Sequence, residues 1–313
     1  MNKPFLFLFT GQGCQYPNML KALYDNENLF KRTLDECFRI FSSFGVDLHT
    51  AFFSEMVHST NFTQPALFSI EYALATLWKN WGINPSMLIG HSIGEIVACT
   101  VSNVLELHDA CKLVSVRANL MNSVDVDGGM LAVLAEFDQF KSMIPKEIDI
   151  AGFNGKRQIV VSGLKEDISK FQIVLKSHSI RAVPLKVSHP FHSRHMSIML
   201  DEFKNQLNTL NFNKPNIPII SNLSGKIQDQ YDIHYFAEHI ISPVHFTQSI
   251  ETVLASDHHL FLECGPAPIL SRLIQKDFDD ITTISSCEKS DPLCLSIYDA
   301  KEEISNIEIK DIK

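Results

Sequence analysis

The sequence has no pair of cysteines in a CxxC arrangement, although seven cysteines are scattered along its 313 residues. Zinc sites and redox-active dithiols use such closely spaced pairs, and a disulfide framework uses an even number of cysteines. The pattern therefore argues against a metal centre and against a disulfide framework. Reduced thiols are typical of a cytoplasmic protein.

Long apolar runs and a leader peptide are also missing. The longest apolar stretches, such as residues 5–9, fall far short of the roughly 20 residues that cross a bilayer. The chain starts with Met1-Asn2-Lys3-Pro4 and enters that stretch directly, without the regions of a signal peptide. We therefore expect no membrane span and a cytoplasmic location.

An excess of positive charge is absent as well. The chain has 27 lysines and arginines against 36 aspartates and glutamates, a formal net charge of −9. A general nucleic-acid-binding protein needs a basic face for phosphates, so nucleic acid is not an expected partner. An acidic partner would need a local basic patch. Internal repeats and the glycine-rich patterns of nucleotide-binding loops are also lacking.

What the sequence does contain is a pattern of buried strands that alternate with helices. An apolar content of 45% is enough for a sizeable core. Residues 5–9 are apolar throughout, as expected of a parallel strand covered on both faces. Helical spacing of apolar residues predicts helices at 19–41, 64–78 and 107–122, with Thr63 as a possible N-cap of the second. Further strands are predicted at 86–89, 217–222 and 258–263, and further helices at 196–207 and 233–241.

The pattern changes between residues 127 and 187. Strands are predicted there at 130–135, 148–153, 158–162 and 180–185, and helices at 138–143 and 165–178. This β-α-β-β-α-β order is that of a ferredoxin-like unit.

We therefore predict an α/β fold in two parts. A large α/β-hydrolase-like catalytic domain with a parallel sheet comprises residues 1–126 and 188–290, and a ferredoxin-like α+β subdomain, residues 127–187, is inserted into it. Residues 291–313 are charged and lack a clear core face, so they are expected to form a loosely docked tail.

The segment Gly90-His91-Ser92-Ile93-Gly94 lies between a strand pattern and a helical one. A serine with glycines two positions away on each side, on a strand-to-helix turn, is typical of a nucleophile elbow, which exposes the hydroxyl group. An ordinary glycine-rich turn is the alternative, since the bare pattern is common. A general base is available in residues 187–193, where two histidines flank a proline at the junction of the two domains.

Three further side chains are candidates that also have ordinary explanations. Gln64 lies in the first turn of a predicted helix, where it could reach an active site or be solvated. Arg117 lies on an amphipathic helix, where position alone favours the solvent-exposed face. Gln12 follows the first strand in a glycine-rich loop, which by itself indicates only a turn.

In order along the chain, these motifs resemble malonyl-CoA:acyl-carrier-protein transacylases, over residues from about 4 to 285. The resemblance is carried by Gly11-Gln12-Gly13 followed by Gln15, Thr63-Gln64-Pro65-Ala66, Gly90-His91-Ser92-Ile93-Gly94-Glu95, Arg117 followed by Met121, Ser188-His189-Pro190-Phe191-His192-Ser193, and Glu263-Cys264-Gly265-Pro266. The histidine segment is more similar to polyketide synthase acyltransferases than to the fatty acid enzyme. Because the chain begins at its own Met and ends soon after the domain, we expect a free-standing acyltransferase that serves a synthase in trans.

The resemblance implies an activity and a set of catalytic roles. A malonyl group would pass from malonyl-CoA to the phosphopantetheine of an acyl carrier protein or polyketide synthase carrier domain, by a ping-pong mechanism through a malonyl-serine ester and without a permanently bound cofactor. Ser92 would be the nucleophile and His192 its base. Backbone amides of Gln12 and Ile93 would stabilise the oxyanion, and the backbone carbonyl of His239 would orient the catalytic histidine.

Substrate contacts are implied by the same resemblance. Arg117 would bind the free carboxylate of malonate in a bidentate pair, which overrides the expectation of a solvated arginine, and Gln64 belongs to the same substrate site. Phe191 and Ile93 are typical of domains that select malonyl over methylmalonyl groups. Pro190 departs from the family pattern, in which alanine is commoner there.

Two other functions are open at this point. A hydrolase that removes stalled acyl groups from carrier proteins could use the same scaffold, but such relatives tend to lose the carboxylate-binding arginine, and Arg117 is present. A non-catalytic homologue would be expected to have lost Ser92 or His192, and both are present. We therefore expect an acyltransferase of polyketide or fatty acid synthesis.

Overall fold

The structure is a computed structural model that describes residues 5–256 and 258–310. The strands are β1 (Phe5–Phe9), β2 (Pro85–Gly90), β3 (Gly128–Val133), β4 (Asp149–Gly155), β5 (Gln158–Leu164), β6 (Ala182–Pro184), β7 (Ile219–Ile220), β8 (Ile227–Gln228), β9 (Leu260–Glu263) and β10 (Thr282–Ser285). The α-helices are α1 (Lys21–Asn26), α2 (Asn28–Ser43), α3 (Leu48–Phe52), α4 (Thr60–Asn80), α5 (Ile93–Val101), α6 (Leu107–Ser123), α7 (Lys165–Ser177), α8 (Leu200–Gln206), α9 (Ile233–Ile241), α10 (Phe246–Leu254), α11 (Leu270–Asp277) and α12 (Ser296–Lys310). Short 3-10 helices lie at Glu55–His58, Phe137–Gln139, Lys141–Met143 and Arg194–Met199.

The strands form two sheets. The larger has the order β10-β9-β1-β2-β7-β8, and its neighbouring strands are parallel except for β7 and β8. The smaller sheet is antiparallel, has the order β4-β5-β3-β6, and is built from the chain between β2 and β7. With α7 it has the ferredoxin-like arrangement, in which two 3-10 turns replace the first helix. The predicted fold class, a parallel-sheet α/β protein with a small α+β unit, is confirmed.

Strand β1 shows why the larger sheet has helices on both faces. Side chains alternate along a strand, so Phe5, Phe7 and Phe9 pack into one apolar cluster together with residues of α2 and α4. Leu6 and Leu8 point to the opposite face and pack with residues of α10 and α11. All five side chains are buried, so the uninterrupted apolar run is explained by its position in the middle of the sheet.

Two predicted helix boundaries are wrong. The segment 19–41 is not one helix, because Glu27 has an extended backbone (φ −106°, ψ 102°) that separates α1 from α2. Helix α4 begins at Thr60 after Ser59, so Thr63 is not its N-cap; the Thr63 hydroxyl donates instead to the Val57 carbonyl at 2.6 Å. A hydroxyl side chain can satisfy a backbone carbonyl inside a helix, which weakens its value as a boundary signal.

The expectation of a loosely docked tail is wrong for residues 291–310, and residues 311–313 lie outside the described part of the chain. Helix α12 packs Ile297, Ala300 and Ile304 into the main apolar cluster, and the Tyr298 hydroxyl donates to the Glu27 carboxylate at 2.6 Å. Lys301, Glu302 and Glu303 are exposed between the buried residues, so the short apolar stripe of the helix was not recognised in the sequence. Within the part of the chain that the structure describes, no helix has the length and hydropathy needed to span a bilayer.

Candidate active site

The turn between β2 and α5 has the geometry of a nucleophile elbow. Ser92 has φ 54° and ψ −112°, a backbone conformation that L-residues rarely adopt, and α5 begins at the next residue. The flanking glycines are required by close approach of the backbone. A Cβ on Gly90 would lie 2.0 Å from the backbone nitrogen of Glu95, and one on Gly94 would lie 2.3 Å from the carbonyl oxygen of Phe9. The elbow is thus a strained turn that a larger residue at either glycine would break.

Ser92 and His192 form a hydrogen-bonded pair. Ser92 Oγ lies 2.8 Å from His192 Nε2, and His192 Nδ1 lies 3.0 Å from the backbone oxygen of Ser242. A carbonyl can only accept, so Nδ1 carries the proton and Nε2 is free to accept the serine hydroxyl proton. Burial, together with the nearby His239 and Arg117, holds the pKa of His192 well below its ordinary value, so its neutral form is favoured.

The carbonyl that orients His192 belongs to Ser242, so the assignment to His239 is wrong. His239 lies in the last turn of α9, where the backbone is still helical. Ser242 follows the helix, has an extended backbone (φ −97°, ψ 156°), and precedes Pro243. A residue before proline avoids the helical conformation, and this turns the Ser242 carbonyl out of the helix and toward the histidine.

Arg117 extends from α6 into the interior rather than to the solvent. Only 2% of its surface is exposed; one terminal nitrogen donates to Gln64 Oε1 at 2.5 Å and the other to Ser92 Oγ at 3.0 Å. Burial lowers its pKa to about 10, so it is still charged at neutral pH. The Nε of Arg117 has no hydrogen-bond partner. Among residues 5–256 and 258–310, no carboxylate forms an ion pair with Arg117. An unpaired buried cation beside a nucleophile is suited to bind an anionic group.

A cavity of about 140 Å³ opens between the two sheets at the elbow. All the predicted site residues except His239 line it: Gln12, Gln64, Ser92, Ile93, Arg117, Phe191 and His192. The small subdomain contributes Met130, Ala151, Gly152 and Val160 to its wall. Ile93 is the first residue of α5, so its N–H has no acceptor within the helix and lies at the positive end of the helix dipole.

Three residues that contact this machinery were missed by sequence reasoning: Asn154, Asn222 and Ser242. Asn154 Oδ1 lies 2.8 Å from His91 Nε2 and so joins the small subdomain to the residue before the nucleophile. Asn222 accepts the backbone N–H of Ser92 at 2.7 Å. Its place at the end of a predicted parallel strand was a usable signal, because functional groups gather at the carboxyl ends of such strands. The described residues contain no cluster of three or more His, Cys, Asp or Glu side chains that could hold a metal ion.

Comparison with known proteins agrees with this geometry. Residues 6–291 match the family described as acyl transferase domain. The chain is 33% identical over 295 residues to mycoketide-CoA synthase of Mycobacterium tuberculosis and 34% identical over 283 residues to the spectinabilin polyketide synthase system protein NorB of Streptomyces orinoci. These alignments cover 92% and 86% of this chain but only 7% and 13% of those much longer proteins.

Solved structures are similar over almost the whole chain. The acyltransferase domain from the second module of the salinomycin polyketide synthase is 34% identical, with a TM-score of 0.92, and the alignment covers 96% of this chain and 73% of that one. The malonyl CoA-acyl carrier protein transacylase from Clostridium perfringens is 28% identical, with a TM-score of 0.89, over 99% of this chain and 100% of that one. With its serine-histidine pair at a nucleophile elbow and this match over nearly its full length, the chain belongs to the acyl transferase domain family.

Proposed function

We propose that this protein transfers a malonyl group from malonyl-CoA to the phosphopantetheine thiol of a carrier protein, through a malonyl ester on Ser92. The observation that carries the proposal is the buried guanidinium of Arg117, which lies 3.0 Å from Ser92 Oγ and has no carboxylate partner among the described residues. A dicarboxylic acyl group would supply that carboxylate when its thioester reaches the serine. An acyl group without a free carboxylate would leave the Arg117 guanidinium without an ion-pair partner.

The first half-reaction uses the hydrogen bonds of the elbow. His192 Nε2 accepts the proton of Ser92 Oγ as the oxygen attacks the thioester carbonyl, and the Nδ1 contact with the Ser242 carbonyl keeps the imidazole in the required tautomer. The tetrahedral intermediate collapses by breaking the carbon–sulfur bond. The imidazolium returns its proton to the departing coenzyme A thiolate, which leaves a malonyl ester on the serine.

The second half-reaction repeats the sequence with a different thiol. His192 takes the proton of the phosphopantetheine thiol, the sulfur attacks the ester, and Ser92 leaves as the protonated alcohol. In both halves the negative charge that develops on the carbonyl oxygen would be stabilised by the backbone amides of Ile93, at the start of α5, and of Gln12, in the loop after β1. One site therefore serves both substrates in turn, which gives ping-pong kinetics.

The choice between malonyl and methylmalonyl groups concerns the side chains that line the cavity next to Ser92 and His192. Phe191 is 7% exposed and lines the cavity beside His192, and Ile93 lines it beside Ser92. An extra methyl group on the α-carbon of malonate would add volume next to these two side chains. We propose that malonyl is preferred over methylmalonyl for this reason.

The proposal is tested by the mass of the intact protein after incubation with malonyl-CoA, followed by addition of a carrier protein in its phosphopantetheinylated or apo form. We expect Ser92 to gain a malonyl group that moves only to the phosphopantetheinylated carrier. Ser92→Ala abolishes loading, and His192→Ala slows it by about 10²-fold or more. Ser42→Ala, an exposed substitution on α2, is the matched control and keeps full loading.

If the malonyl group is lost to water at a rate that the carrier protein does not change, the proposed transferase activity is wrong and a hydrolase activity takes its place. None of the described relatives supports a hydrolase. Equal loading of methylmalonyl would contradict the selectivity. Action in trans on a separate carrier protein stays a prediction.

A further inference from the structure

Asn222 lies beside the nucleophile elbow because of the register of the large sheet. Strand β7 runs parallel to β2 and pairs Ile219 with Leu88 and Ile220 with Ile89. The chain leaves β7 two residues before Asn222 and leaves β2 at Gly90, so both chain exits meet at the same edge of the sheet. Asn222 is 1% exposed and does not line the cavity, so it is placed to act on the elbow and not on a substrate.

Five hydrogen bonds attach Asn222 to the elbow and its surroundings, the longest of them at 3.3 Å between its Oδ1 and His239 Nε2. Its Oδ1 accepts the backbone N–H of Ser92 at 2.7 Å, and its Nδ2 donates to the carbonyl of Gly90 at 2.6 Å. Its backbone N–H donates to Glu95 Oε2 at 2.9 Å, and its carbonyl accepts the N–H of His245 at 2.8 Å. The side chain therefore bridges the residue that ends β2 and the nucleophile itself.

Glu95, the last residue of the elbow motif, holds the backbone of Asn222 by accepting its N–H. The Glu95 carboxyl is fully buried; its Oε1 accepts from the hydroxyls of Tyr231 and Tyr235, and its Oε2 lies 3.3 Å from His239 Nε2 as well as accepting from Asn222. A buried polar network of this kind holds one arrangement of its members, since any shift leaves a polar group without a partner.

We infer that Asn222 is a positioning residue that holds Ser92 in its strained backbone conformation and so aims Oγ at His192. The left-handed φ of 54° at Ser92 persists only if the surroundings hold it, and Asn222 supplies a donor and an acceptor on the two sides of that turn. Without the amide, the Ser92 N–H loses its acceptor, and the peptide before Ser92 keeps only the bond from the Gly94 N–H to the His91 carbonyl. We therefore expect the 2.8 Å contact between serine and histidine to be weakened. The inference rests on the proposed role of Ser92 as the nucleophile.

The test compares Asn222→Ala and Asn222→Asp with the unsubstituted protein in single-turnover acylation by malonyl-CoA. We expect the acylation rate constant to fall by about 10²-fold in Asn222→Ala, since small misplacements of reacting groups have effects of that size. Asn222→Asp keeps the acceptor for the Ser92 N–H but loses the donor to Gly90 and places a second carboxyl beside Glu95, so its rate is also expected to fall. Binding of malonyl-CoA, measured on the Ser92→Ala background with and without Asn222→Ala, is expected to change by less than about threefold, because Asn222 is outside the cavity.

Two controls separate positioning from loss of stability and from failure of the proposed substrate. Ile304→Ala on α12 destabilises the fold away from the cavity, so it must leave the acylation rate of the folded protein unchanged. A fluorophosphonate probe measures the reactivity of Ser92 without any malonyl group. If Asn222→Ala slows phosphonylation of Ser92, the inference stands even where malonyl-CoA fails as a donor. If the folded variant phosphonylates Ser92 at the unsubstituted rate, the inference is overturned.

Discussion

At the residue scale, Arg117 combines full burial, a positive charge and an unpaired Nε. Desolvating a guanidinium is unfavourable, and hydrogen bonds to Gln64 and Ser92 offset it only in part, because both partners are neutral. In the proposed function, a substrate carboxylate supplies the missing negative charge when it enters the cavity. The burial of this cation and the proposed substrate selection then have the same structural basis.

We expect Arg117→Ala to lower kcat/KM for malonyl-CoA by about 10²-fold or more, because the carboxylate then enters a site with no cation. The value for acetyl-CoA should change little or rise. Arg117→Lys should be intermediate, since an ammonium cannot form the bidentate pair or keep the bonds to Gln64 and Ser92 together. Arg39→Ala, an exposed arginine on α2, is the control. Equal losses for malonyl-CoA and acetyl-CoA would show that Arg117 acts on the serine and not on the carboxylate.

The pH profile of kcat/KM reports the two titrating groups of the free enzyme. His192 must be neutral to accept a proton, and its pKa is held well below the ordinary 6.5, so activity should be flat through pH 6.5 and fall only at lower pH. Arg117 must be charged, and its pKa of about 10 predicts a decline as the pH rises through that value. Initial rates with malonyl-CoA between pH 5 and 10.5 at constant ionic strength measure both limbs. An acid limb centred at or above pH 6.5 would contradict the assignment of His192 as a buried base.

Some residues of the site could be predicted from their side chains, whereas others act through backbone groups or distant contacts that the sequence does not reveal. Ser92 stands in a recognisable elbow pattern, whereas His192 and Arg117 were singled out through the family resemblance of the segments that contain them. The Ser242 carbonyl could not be located, because every residue carries a carbonyl and only the end of α9 decides which one turns outward. Asn222 stood at the end of a predicted strand, but its partner on β2 is 132 positions away.

At the element scale, α12 is the clearest difference between pattern and structure. Three of its side chains are buried in the main apolar cluster, at a spacing of three and four residues, and Ile307 packs against the cluster while partly exposed. The Lys301 ammonium also lies 4.3 Å from the centre of the Trp81 ring. A stripe this narrow gives a weak periodic signal, whereas its burial is decided by the shape of the surface it covers, which includes β10.

We expect Ile304→Ala to lower the free energy of unfolding by about 2–5 kcal/mol, the usual range for removing a fully buried isoleucine side chain beyond Cβ. Urea unfolding measures the change, and kcat of the folded enzyme should be unaffected because no residue of α12 lines the cavity. Glu302→Ala, on the exposed face of the same helix, should change stability by less than about 0.5 kcal/mol. A similar stability for both variants would mean that the helix does not dock in solution.

At the scale of the whole molecule, charge is divided unevenly between the inserted segment 127–187 and the rest of the chain. The segment 127–187, which contains the small sheet, has nine lysines and arginines against seven aspartates and glutamates, a net charge of +2. The rest of the chain has a net charge of −11 within the overall −9. Because residues of both parts line the cavity, we expect the inserted segment to repel the proposed anionic thioester less than the rest of the chain does.

We expect kcat/KM for malonyl-CoA to fall as ionic strength rises, despite the negative charge of the whole chain. Lys186 is exposed and lies between Leu185 and Val187, which line the cavity, so Lys186→Glu should raise KM several-fold at low salt and much less at high salt. Lys79→Glu, at the far end of the helix that carries Gln64, is the matched control and should change KM little. An equal effect of both substitutions would show that only net charge matters.

The sequence by itself determined the chemistry and the layer order of this protein. Residue types are local information, and so is the alternation of buried strands with helices; these sufficed to predict the elbow serine, a histidine base and the inserted antiparallel unit. The burial of Arg117 was expected only from the family resemblance. Only the tertiary structure decided which carbonyl orients His192, which amide holds Ser92, and that α12 is part of the core. Each of those depends on the distance between segments far apart in the chain, and such distances are fixed by strand register and packing.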